Sequence, residues 1–144
     1  MWYGAEAART ACAELRYWRW RFVRDSHGLQ RLDAVPHTLF QATVAGAAVD
    51  LRSMPFSRNR AAWRDPVDYA ACQQLARSAR EAQIIRYASV RDPEHGGCAG
   101  ILELSAFMGG VRQRQTWFLT VDMHRASWVC AGGPRRERFE FSFQ

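Results

Sequence analysis

The stretch from Asp65 to Phe107, DPVDYAACQQLARSAREAQIIRYASVRDPEHGGCAGILELSAF, decides how this chain is read. Asp65 is the residue type that caps a helix, Pro66 suits the first helical position, and Asp68 complements the dipole of the first turn. The spacing predicts a helix to about Ala82 that buries Cys72, Leu75, Ala76 and Ala79. Ile84 to Ser89 reads as an apolar strand and Ala99 to Leu104 as its neighbour, joined by a turn built on Asp92-Pro93 and Gly96-Gly97. Gln115 to Asp122 alternates and is expected as a third strand of the same half. Ser89 and Arg91 therefore stand at the end of a buried strand beside a glycine-rich turn, a place where a rigid scaffold presents side chains to ligands.

Upstream, Trp2-Tyr3-Gly4 is expected as a strand end that feeds a helix from Glu6 to about Val23. Ala8, Ala11, Leu15, Trp18 and Phe22 recur at helical spacing and predict its apolar face, with Arg16, Arg19 and Arg24 mostly on the solvated side. His37 to Leu51 is extended, and Ala45-Gly46-Ala47 is expected to turn it into a hairpin. Residues 52–64 read as a polar, arginine-rich loop suited to a flap. Ser127 to Cys130 and Arg138 to Phe143 predict a closing hairpin with Gly132-Gly133-Pro134 at its tip. The expected class is α+β: two main helices on one bent, mixed or antiparallel sheet, forming a single domain over residues 1–144.

Composition excludes several alternatives. Nearly half the residues are hydrophobic, with six Trp and eight Phe, so the chain has the makings of a core. The net charge is +6 and every Lys/Arg-type residue is arginine, a bias that reflects genome composition more than a binding need, so direct nucleic-acid binding is not expected, while a phosphorylated small molecule or an acidic protein remains open as partner. Arg16-Tyr17-Trp18-Arg19-Trp20-Arg21 interleaves basic and aromatic residues, but at helical spacing the two kinds fall on different faces. Cys12, Cys72, Cys98 and Cys130 are spread without a C-x-x-C pair, and His27, His37, His95 and His124 lack ligand spacing; free thiols in a reducing cytoplasm and no metal are expected. No run approaches the roughly 20 apolar residues of a membrane span, and no charged leader precedes an apolar run, so neither membrane nor export is expected. G-x-S-x-G, Walker A and G-x-G-x-x-G motifs are absent.

Glu14 is the sharpest single candidate for chemistry. It sits on the first helix at the edge of the expected apolar face, where a carboxylate needs a partner. The residues three and four positions away are Thr10, Ala11, Tyr17 and Trp18, none cationic. The plainer reading, a boundary carboxylate reaching solvent, stands beside it. Tyr3 is either a core aromatic or, with Gly4, part of a strand-to-helix turn that offers backbone N–H groups to a ligand. Ser89 is a strand-end hydroxyl or a ligand contact, and Arg91 is a solvated cation or a bidentate phosphate holder.

Taken in order, Trp2-Tyr3-Gly4-Ala5-Glu6, Thr10-Ala11-Cys12-Ala13-Glu14, Asp68-Tyr69, Leu75-Ala76 and Tyr87-Ala88-Ser89-Val90-Arg91 resemble the RES domain, a family of NAD-consuming toxins. The resemblance runs over essentially the whole chain and implies an ADP-ribosyltransferase-like fold. It implies Glu14 and Ser89 as the family's catalytic glutamate and serine, and Tyr3, Gly4, Glu14, Ser89 and Arg91 around NAD, which is substrate. It further implies phosphate as a candidate acceptor and an Xre-type helix-turn-helix antitoxin as partner. The family's arginine comes from a segment upstream of the Tyr-Gly-Ala turn at which this chain begins, so an N-terminally truncated domain is expected. The implied reaction breaks the nicotinamide–ribose bond by phosphorolysis or hydrolysis. Transfer of ADP-ribose to a protein, or an impaired domain that only binds its antitoxin, are the alternatives.

Overall fold

The computed structural model describes residues 1–65, 67–79, 81–132 and 137–143. The chain divides into two compact units, one of Met1–Ala11 with Thr43–Gly110 and one of Cys12–Ala42 with Val111–Gln144. The class is α+β, as expected, but the strands form two four-stranded sheets where one was expected.

In the first unit the sheet runs in the order β1-β5-β4-β3, with β1 Trp2–Ala5, β3 Ala48–Asp50, β4 Ile84–Ala88 and β5 Gly97–Ile101. β1 and β4 each pair antiparallel with β5, while β3 lies parallel to β4. The register sets Tyr3 opposite Gly100 and Ile85, and Gly4 opposite Ala99 and Arg86. Side chains alternate across a sheet, so Ile84, Ala99 and Ile101 share a face and pack with Ala106, Val44 and Phe107. Two short helices complete the unit, α2 Arg60–Trp63 and α3 Ala70–Ser78.

Several expectations change here. Residues 37–51 do not form a hairpin: the strand that contains His37 pairs in the other sheet, and Ala48–Asp50 pairs with β4. The 52–64 segment is a 3₁₀ turn at Phe56–Asn59 followed by α2, where an irregular loop was expected. Asp65 Oδ1 accepts the N–H groups of Val67 and Asp68 at 2.8 Å, closing a local turn ahead of α3 and not capping it. Pro66, read as the first helical residue, lies outside the described residues, as do Gly133 and Pro134 of the expected hairpin tip. α3 buries none of its described residues completely; Cys72, Leu75, Ala76 and Ala79 are half-buried.

The second unit is an antiparallel sheet in the order β2-β6-β7-β8, with β2 Arg31–Gln41, β6 Arg112–Asp122, β7 Arg125–Cys130 and β8 Arg138–Ser142. The strand expected as a third member of the first half, Gln115–Asp122, is therefore part of this sheet, while the closing β7–β8 hairpin forms as expected. Pro36 is tolerated in β2 because that strand is at the edge. Trp117, Leu119 and Val121 alternate on one face of β6 and meet Ala126, Trp128 and Cys130 of β7 and Phe141 of β8.

Helix α1, Ala8–Asp25, covers that face with Cys12, Ala13 and Val23. Its buried stripe is not the expected one: Trp18 is 51 % and Phe22 54 % exposed, whereas Arg16 is only 6 % exposed. At about 100° per residue, the stripe is turned by roughly a third of a revolution from the Ala11-Leu15-Trp18 face. The sheet supplies the reason. The Arg16 guanidinium lies 4.3 Å from the Phe141 ring centre and 4.8 Å from that of Phe143, and Trp20 stacks on Phe143 at 4.8 Å. A desolvated cation over two aromatic faces is favourable by about 2 kcal/mol or more, and its alkyl stem packs as a hydrophobe. Arg16→Ala is expected to lower unfolding free energy by about 2 kcal/mol, and Trp18→Ala to stay within about 0.5 kcal/mol of wild type. Urea titrations of both decide it; a larger loss from Trp18→Ala would contradict this helix orientation.

Candidate functional site

β4 ends at Ala88 and hands the chain to a turn built by Ser89. The Ser89 N–H donates to the Gly96 carbonyl at 2.8 Å, and its Oγ accepts the N–H groups of Arg91 at 3.1 Å and Asp92 at 2.8 Å. Ser89 is 0 % exposed. Its hydroxyl thus shapes the loop that carries Arg91, whose Nη2 donates to the Tyr69 hydroxyl at 2.9 Å.

Asp92, 1 % exposed, is the anchor of this turn. Its Oδ2 accepts the Thr10 hydroxyl at 2.8 Å, its Oδ1 accepts the Glu94 N–H at 3.2 Å, and Arg9 Nε stands 3.8 Å from Oδ1 and 3.0 Å from Glu94 Oε1. Thr10 approaches so closely that a Cβ on Gly96 would lie 2.1 Å from Thr10 Oγ1 and 3.0 Å from Asp92 Oδ2. Only glycine leaves that space. His95 closes the turn with its N–H on the Asp92 carbonyl at 2.9 Å, and its Nδ1 is 2.9 Å from the Ser89 carbonyl. A carbonyl only accepts, so Nδ1 carries the proton and Nε2 of the neutral ring is left to accept from Arg64 Nη2.

On the sheet face of Gly4 and Arg86 lies a second polar group. Arg52 grips Asp50 bidentately at 2.8 and 2.7 Å and reaches Glu6 at 3.2 Å, and Arg86 also bonds Glu6. Arg86, then Arg52, hold the Glu6 carboxyl below its ordinary value against the opposing effect of burial. Arg52 lowers Asp50 in the same way, and Asp50 and Glu6 raise Arg52. In the second unit, burial, reinforced by the charge of Glu137, pushes the Cys12 thiol up to about 12.

The sequence candidates take up the following positions. Gly4 is inside β1, paired with Ala99, and not in the strand-to-helix turn; the ladder continues to Ala5 and the turn falls at Glu6-Ala7, because Glu6 N–H still bonds Gly97 O at 2.8 Å. Tyr3 is 73 % exposed, its ring beside Gly100. Tyr3, Gly4, Ser89 and Arg91 all belong to the first unit, Glu14 to the second. Tyr3 is level with Ile85, four residues before Ser89 and two strands across, a separation of roughly 16 Å from standard strand spacings. They bracket an elongated stretch of sheet and do not touch. Glu14 is half-buried on the side of α1 that carries Thr10 and Trp18, away from the Cys12-Arg16-Val23 stripe. Among the described residues no group of three or more His, Cys, Asp or Glu is placed to hold a metal ion, and no helix is long and apolar enough to cross a membrane.

Sequence reasoning missed a cleft of about 220 Å³ beside this turn, lined chiefly by Arg52, Arg60, Trp63, Arg64, Tyr87 and Ala88. Its legible signal was Arg60 and Arg64, four apart beside Trp63, within what read as loop.

A family model described as the RES domain matches residues 1–122, and the chain belongs to the RES domain family, generally NAD-related toxin domains. No curated protein matches it.

Two measurements check this geometry. Gly96→Ala overpacks the Thr10–Asp92 contact and is expected to destabilise by about 1–3 kcal/mol in urea unfolding; a neutral result would mean that Thr10 is not seated as described. The lowered Glu6 and Asp50 carboxyls contribute stability that is present above their unfolded values near pH 4 and is lost as pH falls through the depressed folded ones. Melting curves in this acid range should therefore be flatter for Arg52→Gln than for wild type, and identical pH slopes would remove the network from acid stability.

Proposed function

We propose that this RES domain consumes NAD by cleaving the bond between nicotinamide and its ribose, with phosphate or water as acceptor. The single observation that carries the reading is the family match over residues 1–122, a span that contains Tyr3, Glu14, Ser89 and Arg91. In this reaction the C–N bond breaks with its electron pair leaving on nicotinamide, and positive charge develops on the ribosyl carbon, as in glycoside cleavage. An oxygen of the acceptor then bonds that carbon, giving ADP-ribose phosphate from phosphate or ADP-ribose from water, with the water's proton released.

Each residue has a role suited to its setting. Glu14 holds the ribose hydroxyls and stabilises the developing positive charge through its carboxylate. Tyr3, exposed on the sheet, offers an aromatic face and a hydroxyl to the nicotinamide ribose. Ser89 is the positioning residue: buried, with its hydroxyl on two backbone N–H groups, it sets the loop that presents Arg91 to a phosphate. An elongated ligand suits the roughly 16 Å between Tyr3 and Ser89 better than a single sugar does.

The test is NAD loss on incubation with the purified chain, followed by chromatography with and without added phosphate. Glu14→Ala should slow consumption by about 10²- to 10³-fold with an unchanged melting temperature. Undiminished turnover by Glu14→Ala would take Glu14 out of the mechanism, and intact NAD with wild type would end the reading. Labelled ADP-ribose appearing on protein would instead favour a protein ADP-ribosyltransferase.

A further inference from the structure

We propose that the cleft between α2 and the end of β4 is a binding site for a phosphate or diphosphate group, held by Arg60 and Arg64. It is lined by Arg52, Arg60, Trp63, Arg64, Tyr87 and Ala88 together with Leu51, and no carboxylate is among the lining residues. The three arginines are not equivalent. Arg52 has its charge met by Asp50 and Glu6, so it forms a rigid floor. Among the described residues Arg60 has no acidic partner, and Arg64 bonds a neutral imidazole nitrogen, which orients the guanidinium without cancelling its charge. Arg60 and Arg64 are four residues apart and stand on one side of the helical turn, where like charges repel unless an anion lies between them.

The site is also built to hold its shape. Trp63 Nε1 donates to the Phe56 carbonyl at 2.7 Å, tying α2 to the turn before it. Arg64 is tied through His95 to the Ser89 carbonyl, so one cation of the cleft is fixed by the same turn that carries Arg91. Two planar guanidinium groups suit the paired oxygens of a phosphate better than a point charge does. At about 220 Å³ the cleft is smaller than the roughly 300–1,000 Å³ of pockets that enclose a whole small molecule, and matches a phosphate or diphosphate fragment. The site stands on this geometry alone. Assigning its anion to the acceptor phosphate or to the diphosphate of NAD rests on the proposed function.

The experiment is calorimetric titration of the purified chain with inorganic phosphate, pyrophosphate and ADP-ribose at low salt, on wild type, Arg60→Gln, Arg64→Gln and Arg112→Gln. Saturable phosphate or pyrophosphate binding is expected, weakened about ten- to hundredfold by Arg60→Gln and by Arg64→Gln and unchanged by Arg112→Gln on β6 of the other unit. Competition by ADP-ribose identifies the dinucleotide diphosphate as the source, and binding without competition identifies free phosphate. Arg60 is exposed, so Arg60→Gln carries the test if Arg64→Gln melts early. No saturable binding by wild type, unchanged affinity in Arg60→Gln, or an equal loss in Arg112→Gln overturns the site. NAD turnover is not part of the readout: a phosphate-binding chain that leaves NAD intact supports the site and ends the NAD reading, and an NAD-consuming chain that binds no phosphate does the reverse.

Discussion

A buried carboxylate organises the first unit. Stripping water from an aspartate costs several kcal/mol unless its oxygens are met by donors, and Asp92 is met by the Thr10 hydroxyl, the Glu94 N–H and the nearby Arg9. Satisfying it dictates what surrounds it. Thr10 must come close, so Gly96 can carry no side chain. The chain must curl back, so Ser89 accepts two N–H groups and its carbonyl faces His95. His95 is then fixed in one tautomer, which fixes Arg64. One buried charge is thus connected, bond by bond, to a cation on the wall of a cleft.

The second unit solves a related problem in another way. Arg16 is buried with its guanidinium over the rings of Phe141 and Phe143. This leaves the Trp18 and Phe22 side of α1 exposed, and Glu14 stands on that side, half-buried and clear of the core it would otherwise disturb.

Within the RES family the proposed chemistry asks for two kinds of group: a carboxylate near the ribosyl carbon and cations near phosphate. In that proposal Glu14 serves as the carboxylate and Arg64 and Arg91 as the cations. Glu14 is on a long helix, and Arg64 and Arg91 are both tied to the Ser89 turn, Arg64 through His95 and Arg91 through its own backbone. Rigid placement matters because catalytic and binding groups lose effect with small displacements.

Short-range features were legible in the chain itself. Alternation in Thr116-Trp117-Phe118-Leu119-Thr120-Val121, the apolar Ile84-Ile85 start of β4, the Asp92 to Gly97 turn and the β7–β8 hairpin follow from local pattern and turn chemistry. So did Tyr3, Glu14, Ser89 and Arg91 as candidates, through residue type and order. What tertiary structure alone decided was partnership: that β2 joins β6 while Ala48–Asp50 joins β4, that Arg16 and not Trp18 faces the core, and that Arg60 and Arg64 line a cleft with Tyr87. Hydrophobic spacing registers which residues are apolar but not the surface that will receive them. A cation is solvated or buried according to the rings and carbonyls brought to it from distant parts of the chain, and no local pattern carries that information.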